Sequence, residues 1–288
     1  MNSYRINFNQ LRQQPEISGM LSALERGFAR FGIDFYLVGA VARDVWMMGI
    51  HKMPPTRTTG DIDFAVLVND KGIYETLKAY LVEQENFQPI HDNAFVLLWK
   101  NKTQVDLLPF GAIENEDGSV TVEGTGFTTV HVPGFNEIYE EGLPVVVLEE
   151  THEFKFCTLP GIVILKLIAW DDRPENRRDD IKDISDILHY FFDMHDEEIW
   201  ENHSDLFDDE DADLKHIAAR VMGREMHKIA RRKNKLYKKI GDILETNTVN
   251  TQTSTIAGIM AAHFENTVED NIKLLRQLKK GFAEDLLK

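Results

Sequence analysis

Two aspartates separated by one residue, Asp61 and Asp63, are the side chains of this sequence best suited to chemistry. In an extended segment, side chains two positions apart project from the same face of a strand, while Ile62 and Phe64 point to the other face. Neighbouring carboxylates repel one another, and a divalent cation relieves that repulsion. A third aspartate, Asp106, stands in a later apolar, strand-like segment. These carboxylates predict a metal site.

A glycine turn precedes the two aspartates. Gly39 follows the apolar segment 34–38 and leads into a predicted helix, Ala40–Met48. The first amides of a helix suit a phosphate, and Arg43, one turn into the helix, can reach a phosphate oxygen. Together with the carboxylates, this turn outlines a phosphoryl-transfer site, in which Mg²⁺ neutralises a triphosphate. Each feature alone also fits a plain structural role: an exposed strand face for the aspartates, and a turn with a surface arginine.

The combined pattern resembles a known superfamily. The strand–glycine–helix unit, the RxTxDxD segment that begins at Arg57 and contains Thr59, and the later Asp106 resemble the nucleotidyltransferases typified by DNA polymerase β. The chain is most similar to the AbiEii-type nucleotidyltransferases, which often carry a downstream helical lysine and then an Arg/Lys-Asp-x-x-Asp segment. Lys166 and the segment 182–186 follow in that order, so the resemblance covers about residues 34–190.

The resemblance implies a reaction and a set of residues. A nucleoside monophosphate would pass from an NTP to a hydroxyl acceptor, which is an RNA 3′ end, a protein or a small molecule. The implied catalytic residues are Asp61, Asp63, Asp106, Lys166 and Asp183, and the first three would bind Mg²⁺, or Mn²⁺ in its place. The implied substrate-binding residues are Gly39, Ala40, Arg43, Arg57 and Thr59. A toxin-like role, with an antitoxin partner, is implied as well.

One departure from the superfamily concerns the turn. The superfamily usually has Gly-Gly or Gly-Ser where this chain has Gly39-Ala40, so a backbone amide is kept but the serine hydroxyl is lost. The alternative function is therefore a catalytically inactive nucleotide-binding or protein-interaction module on the same fold.

Lys166 interrupts the apolar run Ile162–Trp170, so its ammonium must reach the surface or meet an anion. By resemblance that anion is a nucleotide phosphate. Asp179, Asp183 and Asp186 share one face of the predicted helix Asp179–Phe192. They either pair with surface cations or, by resemblance, Asp183 orients Lys166 or the acceptor.

Composition narrows the class of protein. The 288 residues are 43% hydrophobic and carry a net charge of −16, as in a globular protein that does not bind nucleic acid over its whole surface. Phe192–Asp213 holds 11 acidic residues, and Arg220–Lys239, next along the chain, holds nine basic ones. The basic residues recur at helical spacing and allow three interpretations: an RNA-binding face, a solvated face, or pairing with the acidic block.

The sequence also predicts location and layout. The N-terminus lacks a signal-peptide pattern, no apolar run is long enough for a membrane span, and Cys157 is the single cysteine, so a cytoplasmic protein is expected. We expect an α/β (α+β) nucleotidyltransferase domain with a small mixed sheet over residues 1–155 and an all-helical domain over residues 156–288. Predicted strands are 34–38, 61–68, 87–100 and 103–108, and segment 111–153 is expected to form irregular β structure or a hairpin. Predicted helices are 16–31, 40–48, 74–85, 160–170, 179–192, 213–245 and 268–287.

Overall fold

The computed structural model describes residues 3–6, 17–54, 60–100, 102–148, 151–207 and 213–284. The chain divides into two compact units, Met1–Thr158 and Leu159–Lys288. Within the described ranges, all the strands lie in the first unit, and the second unit contains helices and turns. No helix in these ranges is both long and apolar enough to cross a membrane.

The first unit is an α/β structure built on a mixed sheet of eight strands. The strands of the unit are β1 (Ser3–Ile6), β2 (Asp34–Val38), β3 (Asp61–Leu67), β4 (Phe87–Ile90), β5 (Asn93–Trp99), β6 (Thr103–Phe110), β7 (Ser119–Thr121), β8 (Thr129–His131), β9 (Val145–Leu148) and β10 (His152–Phe156). The order in the sheet is β1-β9-β10-β2-β3-β6-β5-β4, and β7 pairs with β8 as a separate hairpin. β3 runs parallel to β6 and antiparallel to β2 at the centre of the sheet.

This sheet is larger than the small one predicted from the sequence. Segment 111–153 contains the β7–β8 hairpin, the helix Phe135–Glu141 and β9, and it leads into β10. β9 and β10 both join the main sheet. β9 and β10 have four and five residues, and they carry too little period-two alternation to stand out from the irregular segment around them. The single predicted strand 87–100 was wrong, because the chain turns at His91-Asp92 between β4 and β5.

The helices of the first unit are α1 (Ile17–Phe31), α2 (Gly39–Asp44), α3 (Lys71–Gln84) and α4 (Phe135–Glu141). The helix predicted over 40–48 is observed as the short α2, continued by a π-helical segment, Val45–Ile50. Side-chain alternation along the strands separates two layers. Phe28 of α1 contacts Phe35 and Phe64 on one face of the sheet. On the other face, Tyr36 of β2 contacts Phe135 of α4.

The second unit consists of α5 (Leu159–Asp172), α6 (Arg178–Asn202), α7 (Leu214–Ala230), α8 (Asn234–Thr246), α9 (Thr255–Phe264) and α10 (Val268–Ala283). The single helix predicted over 213–245 was wrong: turns at residues 231–233 separate α7 from α8, and Lys233 is extended there. α9 was not predicted, because its residues are apolar on nearly all sides and no amphipathic stripe marks it.

Candidate functional site

The three predicted metal-binding carboxylates meet on two neighbouring strands. Along β3 the apolar Ile62 and Phe64 are buried while Asp61 and Asp63 keep partial exposure, as the alternation predicts. Asp63 lies directly opposite Asp106 in the β3–β6 register, and paired residues of adjacent strands face the same side of a sheet. One oxygen from each of the three carboxylates lies within 4.8 Å of the others.

This donor set fits Mg²⁺. The ion takes oxygen ligands at 2.0–2.1 Å in octahedral geometry, which places two ligand oxygens about 3–4 Å apart. The three partly exposed carboxylates offer oxygens at that scale. They also carry three like charges with no sulfur or imidazole among them, which favours a hard cation over zinc.

Gln104 was not predicted and belongs to the same face of β6. Its amide Nε2 donates a hydrogen bond to Asp106 Oδ1 at 2.9 Å, and its backbone position lies opposite Asp61 in the strand register. This bond orients the Asp106 carboxylate. The signal was available in the sequence, because Gln104 precedes Asp106 by two residues on a strand and must share its face.

Gly39 lies so close to the Asp63 carboxylate that a side chain at this position would overlap it. Its φ is +66°, in the left-handed region, and an ideal Cβ at this position would lie 2.1 Å from Asp63 Oδ2. The residue pairing of β2 with β3 places Val38 opposite Asp63, so the chain turns into α2 directly beside the carboxylate. Only glycine satisfies both the backbone conformation and this close approach.

We expect Gly39→Ala to weaken Mg²⁺ binding, in addition to the stability that the protein loses through backbone strain at this position. The new Cβ must displace the Asp63 carboxylate, and the left-handed conformation costs a further 1–2 kcal/mol, approximately. The matched control is Gly32→Ala, because Gly32 has a φ of +62° but nothing within 4 Å of its ideal Cβ. Mg²⁺ titration should show weakened binding in Gly39→Ala only, whereas both variants should lose thermal stability. Equal Mg²⁺ affinity in the two variants would contradict this role of Gly39.

The other predicted contacts near the turn have mixed outcomes. Ala40 is buried at the start of α2. Arg43 is also buried, with its side chain 1% exposed, and it donates from Nε and Nη2 to Asp44 Oδ1 at 3.0 and 2.6 Å. Arg43 therefore has a carboxylate partner of its own, and its contact with a phosphate stays a prediction. Arg57 and Thr59 lie outside the described residues.

Lys166, in the second unit, meets two carboxylates inside the protein. Its Nζ lies 2.7 Å from Asp180 Oδ1 and 2.7 Å from Asp183 Oδ2, and all three side chains are at most 12% exposed. Burial by itself would lower the pKa of Lys166, but the charges and hydrogen bonds of Asp180 and Asp183 outweigh it and raise that pKa. The ammonium is thus held charged by α6. The structure brings Asp183 to Lys166, and the role of the pair towards a nucleotide remains a prediction.

Two aspartates of α6, Asp180 and Asp186, have partners that the sequence did not predict. Asp180 was not singled out, although it precedes Asp183 by three residues and so shares its helical face. Asp186 is buried and lies 2.7 Å from His263 Nε2 of α9. Asp179, by contrast, pairs at the surface with Lys182 at 2.8 Å. The three aspartates predicted to share one face therefore have three different kinds of partner.

The nine basic residues of Arg220–Lys239, called the basic stripe below, do not form one helical face, because α7 ends at Ala230. Arg224 is buried and donates to both Asp205 and Glu284, and this contact lowers the pKa of Asp205. Other members of the stripe also have carboxylate partners: Arg220 with Glu284, Lys228 with Glu225, and Lys239 with Asp171. Pairing within the chain thus accounts for part of the stripe. RNA binding by this region stays a prediction.

Comparison with known proteins adds little to this geometry. No family model matches the chain, and no curated protein is significantly similar to it. Among solved structures, the chain is similar to the solution structure of the antibiotic-resistance factor ANT(2'')-Ia, with a TM-score of 0.33 and 11% identity over 56% of this chain and 76% of that one. At that TM-score the likeness supports no conclusion about function.

Proposed function

We propose that this protein is a Mg²⁺-dependent nucleotidyltransferase that moves a nucleoside monophosphate from an NTP to a hydroxyl acceptor. The observation that carries the proposal is the meeting of Asp61, Asp63 and Asp106 across two paired strands, with oxygens within 4.8 Å of one another. Carboxylates that approach within 4.8 Å on one sheet face repel one another, and a bound cation relieves that repulsion. Their partial exposure leaves that cation open to a phosphate.

The residues of the chain have distinct roles in this reaction. Asp61, Asp63 and Asp106 hold Mg²⁺, which when bound neutralises the triphosphate and orients its oxygens. The acceptor oxygen attacks the α-phosphorus, the bond to the β-phosphate oxygen breaks, and pyrophosphate leaves. Asp106 takes the proton of the acceptor hydroxyl, in the orientation set by Gln104.

The remaining roles follow from the resemblance to AbiEii-type nucleotidyltransferases. Gly39 and Ala40 contribute backbone to a phosphate, and the side chains of Arg57 and Thr59 contact the substrate. Arg43, which is buried against Asp44, would reach the substrate only after leaving that carboxylate. The resemblance also names Lys166 and Asp183 as catalytic residues, and within the second unit Asp183 holds the ammonium of Lys166. The acceptor is an RNA 3′ end, a protein or a small molecule. In the toxin-like form of this proposal, an antitoxin protein restrains the reaction in the cytoplasm.

The experiment is a transfer assay with each of the four α-labelled NTPs. Purified protein is incubated with Mg²⁺ or Mn²⁺ and, separately, with total RNA, total protein and a mixture of small hydroxyl compounds. We expect one NTP to label one acceptor class, with loss of labelling in EDTA. Absence of labelling in all combinations, from protein that binds Mg²⁺ and an NTP, would overturn the catalytic proposal.

The second candidate function is a nucleotide-binding or interaction module that does not transfer. The observation that favours it is the Gly39-Ala40 turn, which lacks the hydroxyl of the Gly-Ser form. Calorimetry with each NTP and Mg²⁺ separates the two candidates when combined with the transfer assay. Binding without transfer indicates the module, and binding with transfer indicates the enzyme.

A further inference from the structure

Ser18, His152 and Glu25 form a hydrogen-bonded row in the first unit, away from the carboxylates already described. Ser18 Oγ lies 2.8 Å from His152 Nε2, and His152 Nδ1 lies 2.8 Å from Glu25 Oε2. A hydroxyl, an imidazole and a carboxylate at these distances make up the general arrangement of an activated nucleophile. We propose that Ser18 is the nucleophile of a second active site, which hydrolyses small carboxylic esters.

The chemistry of the three groups sets the direction of both hydrogen bonds. An ionised carboxylate can only accept, so the proton between His152 and Glu25 belongs to Nδ1 of the imidazole. In the neutral ring Nε2 then carries a lone pair, which accepts from the hydroxyl of Ser18. This is the tautomer in which an imidazole can remove a serine proton. Glu25 holds the ring in that tautomer and stabilises the imidazolium formed when the proton moves.

The fold builds the row from one helix and one strand. Ser18 and Glu25 are seven residues apart on α1, which places them on the same side of the helix, two turns apart. His152 is the first residue of β10, and it is separated from Ser18 by 134 positions. His152 is 4% exposed while Ser18 is exposed, so the base is shielded from water and the nucleophile can be reached.

The surroundings of Ser18 suit a small, uncharged acyl group. The amide of Gly19 belongs to the first turn of α1, where backbone N–H groups have no acceptor within the helix. It follows the nucleophile directly, as an oxyanion donor often does, and Gly19 has no side chain to cover it. An ideal Cβ at Gly19 would lie 3.1 Å from Cη2 of Trp99, so the edge of that indole packs against Gly19, the residue that follows the nucleophile in the chain.

The reaction balances with water as the only co-reactant. Ser18 Oγ bonds to the ester carbonyl carbon while its proton passes to His152 Nε2, and the carbonyl oxygen becomes the oxyanion. The carbon–alkoxide bond then breaks, and the alkoxide leaves with the proton from His152. Water attacks the acyl-serine, again giving its proton to His152 Nε2. Breakage of the acyl–Oγ bond returns that proton to Ser18 and releases the carboxylic acid.

The row is independent of the metal-binding carboxylates. His152 and Phe154 lie two residues apart on β10, and Phe154 contacts Phe35 and Phe64 on the face of the sheet covered by α1. Asp63 alternates with Phe64 and therefore faces the opposite side. A test of Ser18 in EDTA consequently leaves the proposed nucleotidyl transfer out of the measurement, and the failure of one proposal does not imply the failure of the other.

The test is covalent labelling of the full-length protein by a fluorophosphonate probe, in EDTA, followed by peptide mapping. We expect the wild-type protein to be labelled at Ser18 and to hydrolyse p-nitrophenyl acetate. Ser18→Ala should lose both signals. Glu25→Gln should lower both rates by about 10²- to 10⁴-fold, because the wrong tautomer of His152 is then favoured. Ser204→Ala, which removes another exposed serine, should leave both unchanged.

If the hydrogen bonds of the row only hold α1 against β10 and have no catalytic role, the results will differ. The wild-type protein would then remain unlabelled, or would be labelled at residues other than Ser18, and either result overturns the proposal. Labelling of Ser18 at the same rate in Glu25→Gln would also overturn it, because the hydroxyl would then react without the row. Circular dichroism melting confirms that each variant is folded, and His152→Gln provides a second substitution that should lose labelling while retaining a polar side chain.

Discussion

Asp63→Asn is expected to lower Mg²⁺-dependent nucleotidyl transfer by about 10³-fold or more. The substitution keeps the shape of the side chain but removes one of three carboxylates that meet within 4.8 Å. Metal stabilisation of transition-state charge is worth several kcal/mol, and about 4 kcal/mol corresponds to the expected factor. The rate of label transfer from the preferred NTP measures this loss. Asp92→Asn is the control, because Asp92 has a side chain 94% exposed and pairs only with the neighbouring His91 among the described residues.

The same variant should gain stability without metal, which distinguishes a metal ligand from an ordinary structural aspartate. In EDTA the three carboxylates repel one another, so neutralising Asp63 should raise the free energy of unfolding. Mg²⁺ should stabilise the wild-type protein, by about 2.7 kcal/mol at one hundred times its dissociation constant, and should stabilise the variant far less. Thermal melting with and without Mg²⁺ measures both effects. A variant that is less stable than wild type in EDTA and equally stabilised by Mg²⁺ would exclude Asp63 as a ligand.

Asp183→Ala is expected to lower the free energy of unfolding of the second unit by about 3 kcal/mol or more. Asp183 is 0% exposed and lies 2.7 Å from the buried ammonium of Lys166. Among the residues that the structure describes, that ammonium would then keep Asp180 as its carboxylate partner. Removing one partner of a buried ion pair commonly costs about 3–5 kcal/mol, because the remaining charge is left poorly compensated inside the protein. Urea unfolding followed by circular dichroism measures the change.

A surface pair on the same helix supplies the control for Asp183. Asp179 lies 2.8 Å from Lys182, but both side chains are about half exposed. An exposed pair of this kind is worth roughly 0–1 kcal/mol, so Asp179→Ala should change stability little. A second comparison tests the electrostatic explanation directly: combining Lys166→Met with Asp180→Asn and Asp183→Asn removes all three charges and should recover much of the lost stability. Equal destabilisation by Asp179→Ala and Asp183→Ala would contradict it.

Much of the local structure could be predicted because it depends on short-range periodicity. The apolar alternation around Asp61 and Asp63 placed them on one strand face, and β2 was predicted over the residues that form it. Prediction failed where the local signal is weak or misleading. β1 and β9 have only four residues each, α9 is apolar on nearly all sides, and α7 and α8 read as one helix until the turn at 231–233 separates them.

The sequence by itself determined which residues can do chemistry at the carboxylate site. Asp61, Asp63, Gly39 and Asp106 are recognisable from type and spacing, because strand alternation and the special backbone freedom of glycine are properties of a few consecutive residues. The tertiary structure decided which of these groups meet and what holds them. The strand register places Asp106 opposite Asp63. Gln104 lies on the same face of its strand as Asp106 and donates a hydrogen bond to it. The packing of α5 against α6 brings Asp180 to Lys166. Only the tertiary structure brings Ser18, His152 and Glu25 together. Contacts between residues more than a hundred positions apart depend on how a helix packs on a sheet, and no local sequence pattern encodes that packing.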